Sequence, residues 1–475
     1  MTILNKATMV LSSTLLALTV HANSISVPEI GSAGASGITI ELEREYGNYY
    51  MAVAKGTVQS YDPVLNEYIN SIGQKLVLHA ANVKFPFEFY LSSDTTLNAS
   101  AFLGGKVQIN AGLFHYTKTE DEFASVLAHE ISHVTQRHLA RQFEDASSET
   151  SLTVGSIIAG AILALINADV GMAVMSAGTS ISMQRSISYT RALEAEADRV
   201  GLSILYESGY NPMAMTELFR TLMKQQGDVN AVYAMLSDHP LSDERVSDVY
   251  NRAVKYPQRK NSSTPDFMFA KARIDVRYMN LDLDKLYKRL LDSTEVNRFY
   301  KYYALALISY EKKNYLECLR YLDNLSSFSK NDFIIDLKAD AYIDMDNYSK
   351  VREIFEPLFK LKPKDSAVAM NLANLYIITG DYDKAVSVIN KYLKSRPKDA
   401  FAYSLLSKAY DKNGNKCMAY QSLSWEKLLK ADFKKATMYM TEAIRFCRGD
   451  EREIAQAKII KISKQQEFYE RLKMQ

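Results

Sequence analysis

Two periodicities divide the chain. Residues 40–80 place apolar side chains at helical spacing, as in "YDPVLNEYINSIGQKLVLHA". The next segment, "KFPFEFYL", puts Phe85, Phe87, Phe89 and Leu91 at every second position, the period of a strand. "GGKVQINAGLF" (104–114) predicts a second strand, with Val107 and Ile109 on one face and Gly104 and Gly105 making the turn before it. From Thr119 the pattern returns to helix. Thr119 and Glu122 have capping-box spacing, and Phe123, Val126, Leu127, Ile131 and Val134 form an apolar stripe. A further helix over 190–212 is expected to stop at Gly209, with Pro212 just beyond. "KYPQRKNSSTPD" (255–266) is polar and rich in Pro and Ser, and reads as a linker.

Past the linker a longer period takes over. Leu372, Ala373, Tyr376, Gly380, Tyr382, Ala385, Tyr392 and Pro397 fall in the tetratricopeptide pattern. About 34 residues earlier, Ala339, Tyr342, Tyr348, Phe355 and Pro363 take the same slots, and one period later Leu406, Tyr410, Gly414 and Ala419 do. Three agreeing registers predict a helical solenoid. Helices expected over 416–428 and 432–446 would be antiparallel neighbours. Cys417 starts one and Cys447 ends the other, so a Cys417–Cys447 disulfide is predicted.

The N-terminus has a different character. Lys6 precedes an apolar run from about Met9 to Val20, and Val20 and Ala22 are the small residues of a signal-peptide cut after Ala22. The run is shorter than the ~20 residues of a membrane span. Export to the periplasm is therefore expected. Residues 151–183 are apolar and rich in small residues, but Asp169 and several glycines interrupt them. An insert packed on the protein, able to touch a membrane surface or gate a cleft, is expected there in preference to a membrane hairpin. A net charge of +2 lacks the basic excess of a nucleic-acid binder.

All seven histidines lie at or before residue 239, which places the chemistry in the first half. "LAHEISHVTQ" holds His129, Glu130 and His133 as H-E-x-x-H. Residues four apart share a helix face, so the two histidines can reach one ion. Glu130 is turned about 100° away and can reach a water on that ion without ligating it. A third ligand is needed, and Glu194 in "LEAEADRVG" is the candidate. Asp198 follows four residues later and can hold the outer N–H of a histidine. Glu196 is read as a solvated surface residue. His239, before Pro240, has three readings: an oxyanion stabiliser, a removable fourth ligand that keeps the enzyme latent, or a loop histidine bonded to backbone. His138, about 180° round the helix from His129, is read as structural. His79 and His115 have no motif around them.

H-E-x-x-H followed by E-x-x-A-D resembles the HtpX and CAAX-prenyl-protease superfamily of zinc metallopeptidases. "NASAF" (98–102), "HPLSDERV" (239–246) and the repeats narrow the resemblance to periplasmic members that serve outer-membrane β-barrel assembly. The resemblance covers nearly the whole chain after the signal. It implies one zinc held by His129, His133 and Glu194, Glu130 as general base and Asp198 as outer carboxylate. It also implies that the 104–111 strand is an edge strand pairing with extended substrate through Val107, Ile109 and Asn110. The family's membrane-embedded members have transmembrane helices, which this chain lacks after the signal, so any membrane link is expected to be peripheral.

The expected architecture is an α+β zincin-like metallopeptidase domain, mainly helical with a small sheet, followed by an all-α tetratricopeptide solenoid. Its boundaries are a signal at 1–22, peptidase at 23–255, linker at 256–267 and repeats at 268–475. The expected function is a zinc endopeptidase that degrades misfolded or stalled outer-membrane β-barrel proteins and promotes their assembly. The repeats would contact substrate or the barrel-assembly machinery. The alternative is a chaperone or adaptor acting through the repeats with a latent metal site.

Overall fold

The computed structural model describes residues 38–149, 157, 158, 160, 162, 191–225 and 233–472, and Ile38–Gln475 forms one compact unit. The expected signal peptide and most of the 151–183 insert lie outside the described residues.

The helical stretch over 40–80 is two helices. α1 (Ile40–Gly56) is capped by the Thr39 side chain, and α2 (Pro63–Val77) by Asp62 with Pro63 in its first turn. A three-stranded sheet follows: β1 (Glu88–Ser92), β2 (Ala99–Phe102) and β3 (Lys106–Asn110), in the order β1-β3-β2. β1 and β3 are parallel, and β2 and β3 antiparallel. The strand predicted over 104–114 is therefore shorter. Leu103–Gly105 is a tight turn, with Gly104 and Gly105 at φ 69° and 77°, and Ala111–Tyr116 is a short helix, α3.

α4 (Glu120–Thr135) begins as the capping box predicts on the Thr119 side, with the Thr119 hydroxyl accepting from the Glu122 N–H. Glu122 reaches back one residue further, to the Lys118 N–H. Every residue of α4 is buried, so its polar face looks into protein and not into water. α5 (His138–Glu149) follows a break at Arg137, whose φ is 55°. α6 (Arg191–Glu207) lies against α4. Gly201 makes that approach possible, since a Cβ there would stand 3.3 Å from the His129 backbone. α6 ends as expected, with Gly209 at φ 89°. α7 (Met213–Gln225), α8 (Tyr233–Asp238) and α9 (Asp243–Ala253) complete the first half.

Residues 256–264 carry no regular structure but are tied down. The N–H groups of Ser262 and Thr264 donate to Asp121 and Glu120 at the start of α4. α10 (Pro265–Arg277) and α11 (Leu283–Asp292) lead into helical pairs α12 (Arg298–Glu311) and α13 (Tyr315–Asp323), α14 (Asp332–Asp344) and α15 (Tyr348–Leu361), α16 (Ser366–Ile378) and α17 (Tyr382–Leu393), α18 (Ala400–Lys412) and α19 (Lys416–Leu429). α20 (Phe433–Phe446) and α21 (Asp450–Leu472) close the series. The repeat is visible in the backbone: Lys313, Asp346, Gly380 and Gly414 take positive φ at successive intra-pair turns. Cys417 and Cys447 form a disulfide.

The two halves are joined through buried charge. Arg273 of α10 lies 2.6 Å from Asp62, the cap of α2, and 2.8 Å from Asp336 of α14, all three buried. Removing one member would strand a charge in low dielectric. At the far end the Tyr46 hydroxyl of α1 donates to the Leu472 carbonyl of α21, 2.9 Å away.

Candidate metal centre

α4 and α6 bring the predicted residues together. His129 Nε2 and His133 Nε2 are 2.9 Å apart, and the Glu194 carboxylate lies 3.5 Å from the first and 3.4 Å from the second. His239 joins them, its Nδ1 3.0 Å from Glu194 Oε1 and 3.3 Å from His129 Nε2. One donor atom from each of these four buried residues lies within 4.8 Å of all the others. The reading of His239 as a loop histidine bonded only to backbone does not hold. Two imidazoles, a carboxylate and a third imidazole within reach form the nitrogen–oxygen set that suits a divalent transition metal.

The surroundings prepare this cluster. Asp198 Oδ1 stands 2.9 Å from His129 Nδ1, on the ring edge turned away from the other ligands. Burial alone would lower the His129 pKa, but Glu194 and Asp198 outweigh it and lift it to about 10. A field that favours a proton there also favours a metal cation. Burial drives His133 well below the ordinary histidine value, so this ring is neutral, as a ligand must be. Burial would raise Glu194, yet His239 and His129 hold it far below the usual carboxylate range.

Glu130 is fully buried and neither carboxylate oxygen makes a hydrogen bond, although Oε1 is 3.4 Å from His239 Nε2. Burial raises its pKa against the pull of His239 and His129. A buried carboxylate held only by such loose contacts is poised to take up a proton.

Two contributors go beyond the sequence reading, which names no role for Arg245 and only a structural one for His138. Arg245, inside "HPLSDERV", spans both carboxylates, with Nη1 2.6 Å from Glu194 and Nε 2.5 Å from Asp198. His138 is fully buried, its Nδ1 2.9 Å from His133 Nδ1 and its Nε2 3.2 Å from Glu196. It reaches His133 because α4 ends before Arg137, so the angle counted round one continuous helix does not apply. Glu196 is correspondingly a hydrogen-bonded residue and not a free surface one. His115 pairs with Asp275 of α10 at 2.6 Å, away from the cluster.

The edge-strand expectation for 104–111 is corrected by the sheet order. β3 is the central strand, paired on both sides, so its backbone has no edge to offer. Val107 and Ile109 are fully buried in the core, and Asn110 donates to Thr96. The edge beside the metal cluster is β2, within "NASAF", whose Ala101 N–H is close enough to Glu130 to lower its pKa. Asn98, one residue before β2, donates to Asp238, one residue before His239, at 2.8 Å.

Comparison with known proteins agrees with this geometry. Residues 63–253 match Peptidase family M48 and residues 342–409 match the tetratricopeptide repeat. The chain is 35% identical to the β-barrel assembly-enhancing protease of Yersinia pestis over 354 residues, 73% of either chain. It is 35% identical to the protein of that name in Escherichia coli K12, over 74% of this chain and 72% of that one. The mitochondrial metalloendopeptidase OMA1 of Schizosaccharomyces pombe is 25% identical over 43% of this chain and 56% of its own. The chain therefore belongs to the β-barrel assembly-enhancing protease family, metallopeptidases of the M48 type followed by tetratricopeptide repeats.

Proposed function

We propose that the chain is a periplasmic zinc endopeptidase, exported by a signal peptide cut after Ala22, that acts on outer-membrane β-barrel proteins. In this reading it degrades misfolded or stalled ones and promotes assembly of the rest, and its repeats contact substrate or the barrel-assembly machinery. The relatives' name supports the substrate class. No helix among the described residues is long and apolar enough to cross a membrane, so membrane contact in this reading is peripheral.

The observation that carries the chemistry is the convergence of His129, His133 and Glu194 beside the buried Glu130. Zinc bound by those three would acidify a water and polarise the scissile carbonyl. Glu130 takes the attacking water's proton on a carboxylate oxygen and returns it to the departing amine. Asp198 holds His129 in its ligating orientation, and Arg245 holds Asp198 and Glu194 in register. An extended substrate adds to the edge of β2, which takes the role first assigned to Val107, Ile109 and Asn110. His239 brings its ring into the same group of donor atoms, so it could serve as a fourth ligand in place of a water, which favours a latent resting state. The Asn98–Asp238 hydrogen bond ties the segment carrying His239 to the strand where substrate enters.

The test compares cleavage of an unfolded outer-membrane β-barrel protein by the mature chain and by Glu130→Gln, with zinc measured in both. Glu130→Gln is expected to lower kcat/KM by about 10²–10⁴-fold at equal zinc. Equal cleavage by both would remove Glu130 as the base. If neither cleaves, His239→Ala separates a latent enzyme, which gains activity, from a chaperone, which does not.

A further inference from the structure

The two histidines of α4 are held from behind in different ways. Each turns its Nε2 toward the cluster, the two Nε2 atoms 2.9 Å apart, and its Nδ1 away from it. Behind His129 stands a carboxylate. Asp198 Oδ1 lies 2.9 Å from the His129 Nδ1, and Arg245 holds Asp198 in turn. Behind His133 stands another imidazole, with His138 Nδ1 2.9 Å from His133 Nδ1. His138 Nε2 then faces Glu196 Oε2 at 3.2 Å, and the Arg141 guanidinium reaches the same oxygen at 3.2 Å. Both rows end on an arginine, but the second has one more ring in it.

The partners assign the proton positions in the second row. A neutral imidazole that gives its Nε2 lone pair to a cation carries its proton on Nδ1. His133 therefore donates and His138 Nδ1 accepts. A neutral His138 then carries its own proton on Nε2 and donates it to Glu196. The other tautomer would set two N–H groups against each other at 2.9 Å and turn a lone pair toward a carboxylate.

The backbone is bent to build this row. Five residues along a continuous helix turn through about 140°, which would carry His138 to the far side from His133. The chain instead breaks at Arg137, a residue with a Cβ held at φ 55°. Its own side chain ties the break down: Nε donates to the buried Glu43 at 2.6 Å and Nη2 to the Ile38 carbonyl at 2.5 Å. His138 opens α5 directly after it and is fully buried.

We propose that His138 is a positioning residue for the metal ligand His133. It fixes the tautomer and the ring orientation of His133, and Glu196 fixes His138 in turn. The inference rests on the metallopeptidase reading given above. Outer partners of a ligating histidine set how tightly the metal is held. A ring that only filled space would need neither the aligned nitrogens nor the carboxylate behind them.

The experiment uses the full mature chain. Zinc affinity is read by competition with a chromophoric chelator, and thermal melts are recorded without and with zinc. His138→Leu is expected to weaken zinc binding about 10- to 100-fold and to shrink the rise in Tm that zinc produces. His138→Asn, whose Oδ1 can stand near the place of Nδ1 and accept from His133, is expected to recover most of that loss. Glu196→Ala is expected to cost several-fold, since it removes the charged acceptor behind His138. Glu196 is 31% exposed, so this variant reads the row even if His138→Leu does not fold. In the cobalt-substituted chain the visible ligand-field bands are expected to shift in His138→Leu and to stay in place in His138→Asn. Zinc affinity unchanged by Glu196→Ala or by a folded His138→Leu would overturn the proposal. A lower melt with the zinc-dependent rise intact would also overturn it, leaving His138 merely structural. If the unaltered chain itself binds no zinc, the metallopeptidase reading falls and this inference with it. Zinc held equally by the unaltered chain and the variants removes this inference alone.

Discussion

The two edges of the small sheet have opposite fates. Along β1 the backbone groups are closed off by three amides from α2, spaced one helical turn apart. Asn66 Oδ1 accepts from the Leu91 N–H at 3.4 Å, Asn70 bonds both the N–H and the carbonyl of Phe89, and Gln74 donates to the Phe87 carbonyl. Gln59 adds a bridge to Ser92. Along β2 no further strand pairs among the described residues, and the metal cluster lies beside that edge. Open edges invite other chains, and proteins normally cover them. Here one edge is covered by side chains, and the other is the one assigned to substrate in the reading proposed above. In that reading an extended chain adds at the one edge left uncovered among the described residues, next to Glu130.

The largest expected effect tests the covered edge. Asn70→Leu keeps the branched four-atom side-chain shape but strands the Phe89 N–H and carbonyl against apolar surroundings. It is expected to cost about 3 kcal/mol of unfolding free energy, read as a shifted urea midpoint at unchanged slope. Cleavage per folded molecule should not change, because the cap lies across the sheet from the cluster. A midpoint shift worth less than about 1 kcal/mol would mean that water can satisfy this edge, and the contrast between the edges would fail.

How much of this was legible in the sequence depends on range. His129, Glu130 and His133 are set by local helix geometry, and α4 reproduces it. Glu194 and Asp198 are distant in sequence, and their motif spacing pointed to them, as did the repeat period for the solenoid. Strand order is another matter. The alternation of Val107 and Ile109 is the same in a central strand as in an edge strand, so it could not correct the edge role that the resemblance implies for β3. β2 is four residues of mostly small side chains and gives little periodic signal. His138 is read as structural, but its placement opposite His129 does not hold, because counting 100° per residue assumes an unbroken helix and the left-handed turn at Arg137 breaks it. Arg245 was in view within its motif, but its role depends on two carboxylates from another helix.

The open edge is tested from the substrate's side, which avoids altering the fold. Backbone N-methylation of a cleavable peptide removes one ladder donor at a time. On an edge strand only alternate residues point their N–H toward the sheet. Cleavage is therefore expected to fall up to about tenfold for methylation at every second position and little in between. An effect without that period of two would remove β2 as the docking strand.

The smallest effect separates two explanations of the covered edge. Gln74→Leu removes a single bond, to the carbonyl of Phe87, which lies just before β1 begins. A carbonyl at a strand end can turn toward water more readily than an N–H in mid-strand. The expected cost is about 1 kcal/mol in the same urea experiment, roughly a third of that for Asn70→Leu. α2 also packs closely on β1, since a Cβ on Gly73 would fall 2.4 Å from the Phe89 ring. If Gln74→Leu and Asn70→Leu cost the same, close packing of the helix is what closes this edge. If the costs scale with the backbone groups stranded, the amide ladder closes it, and its absence from β2 is what leaves that edge free.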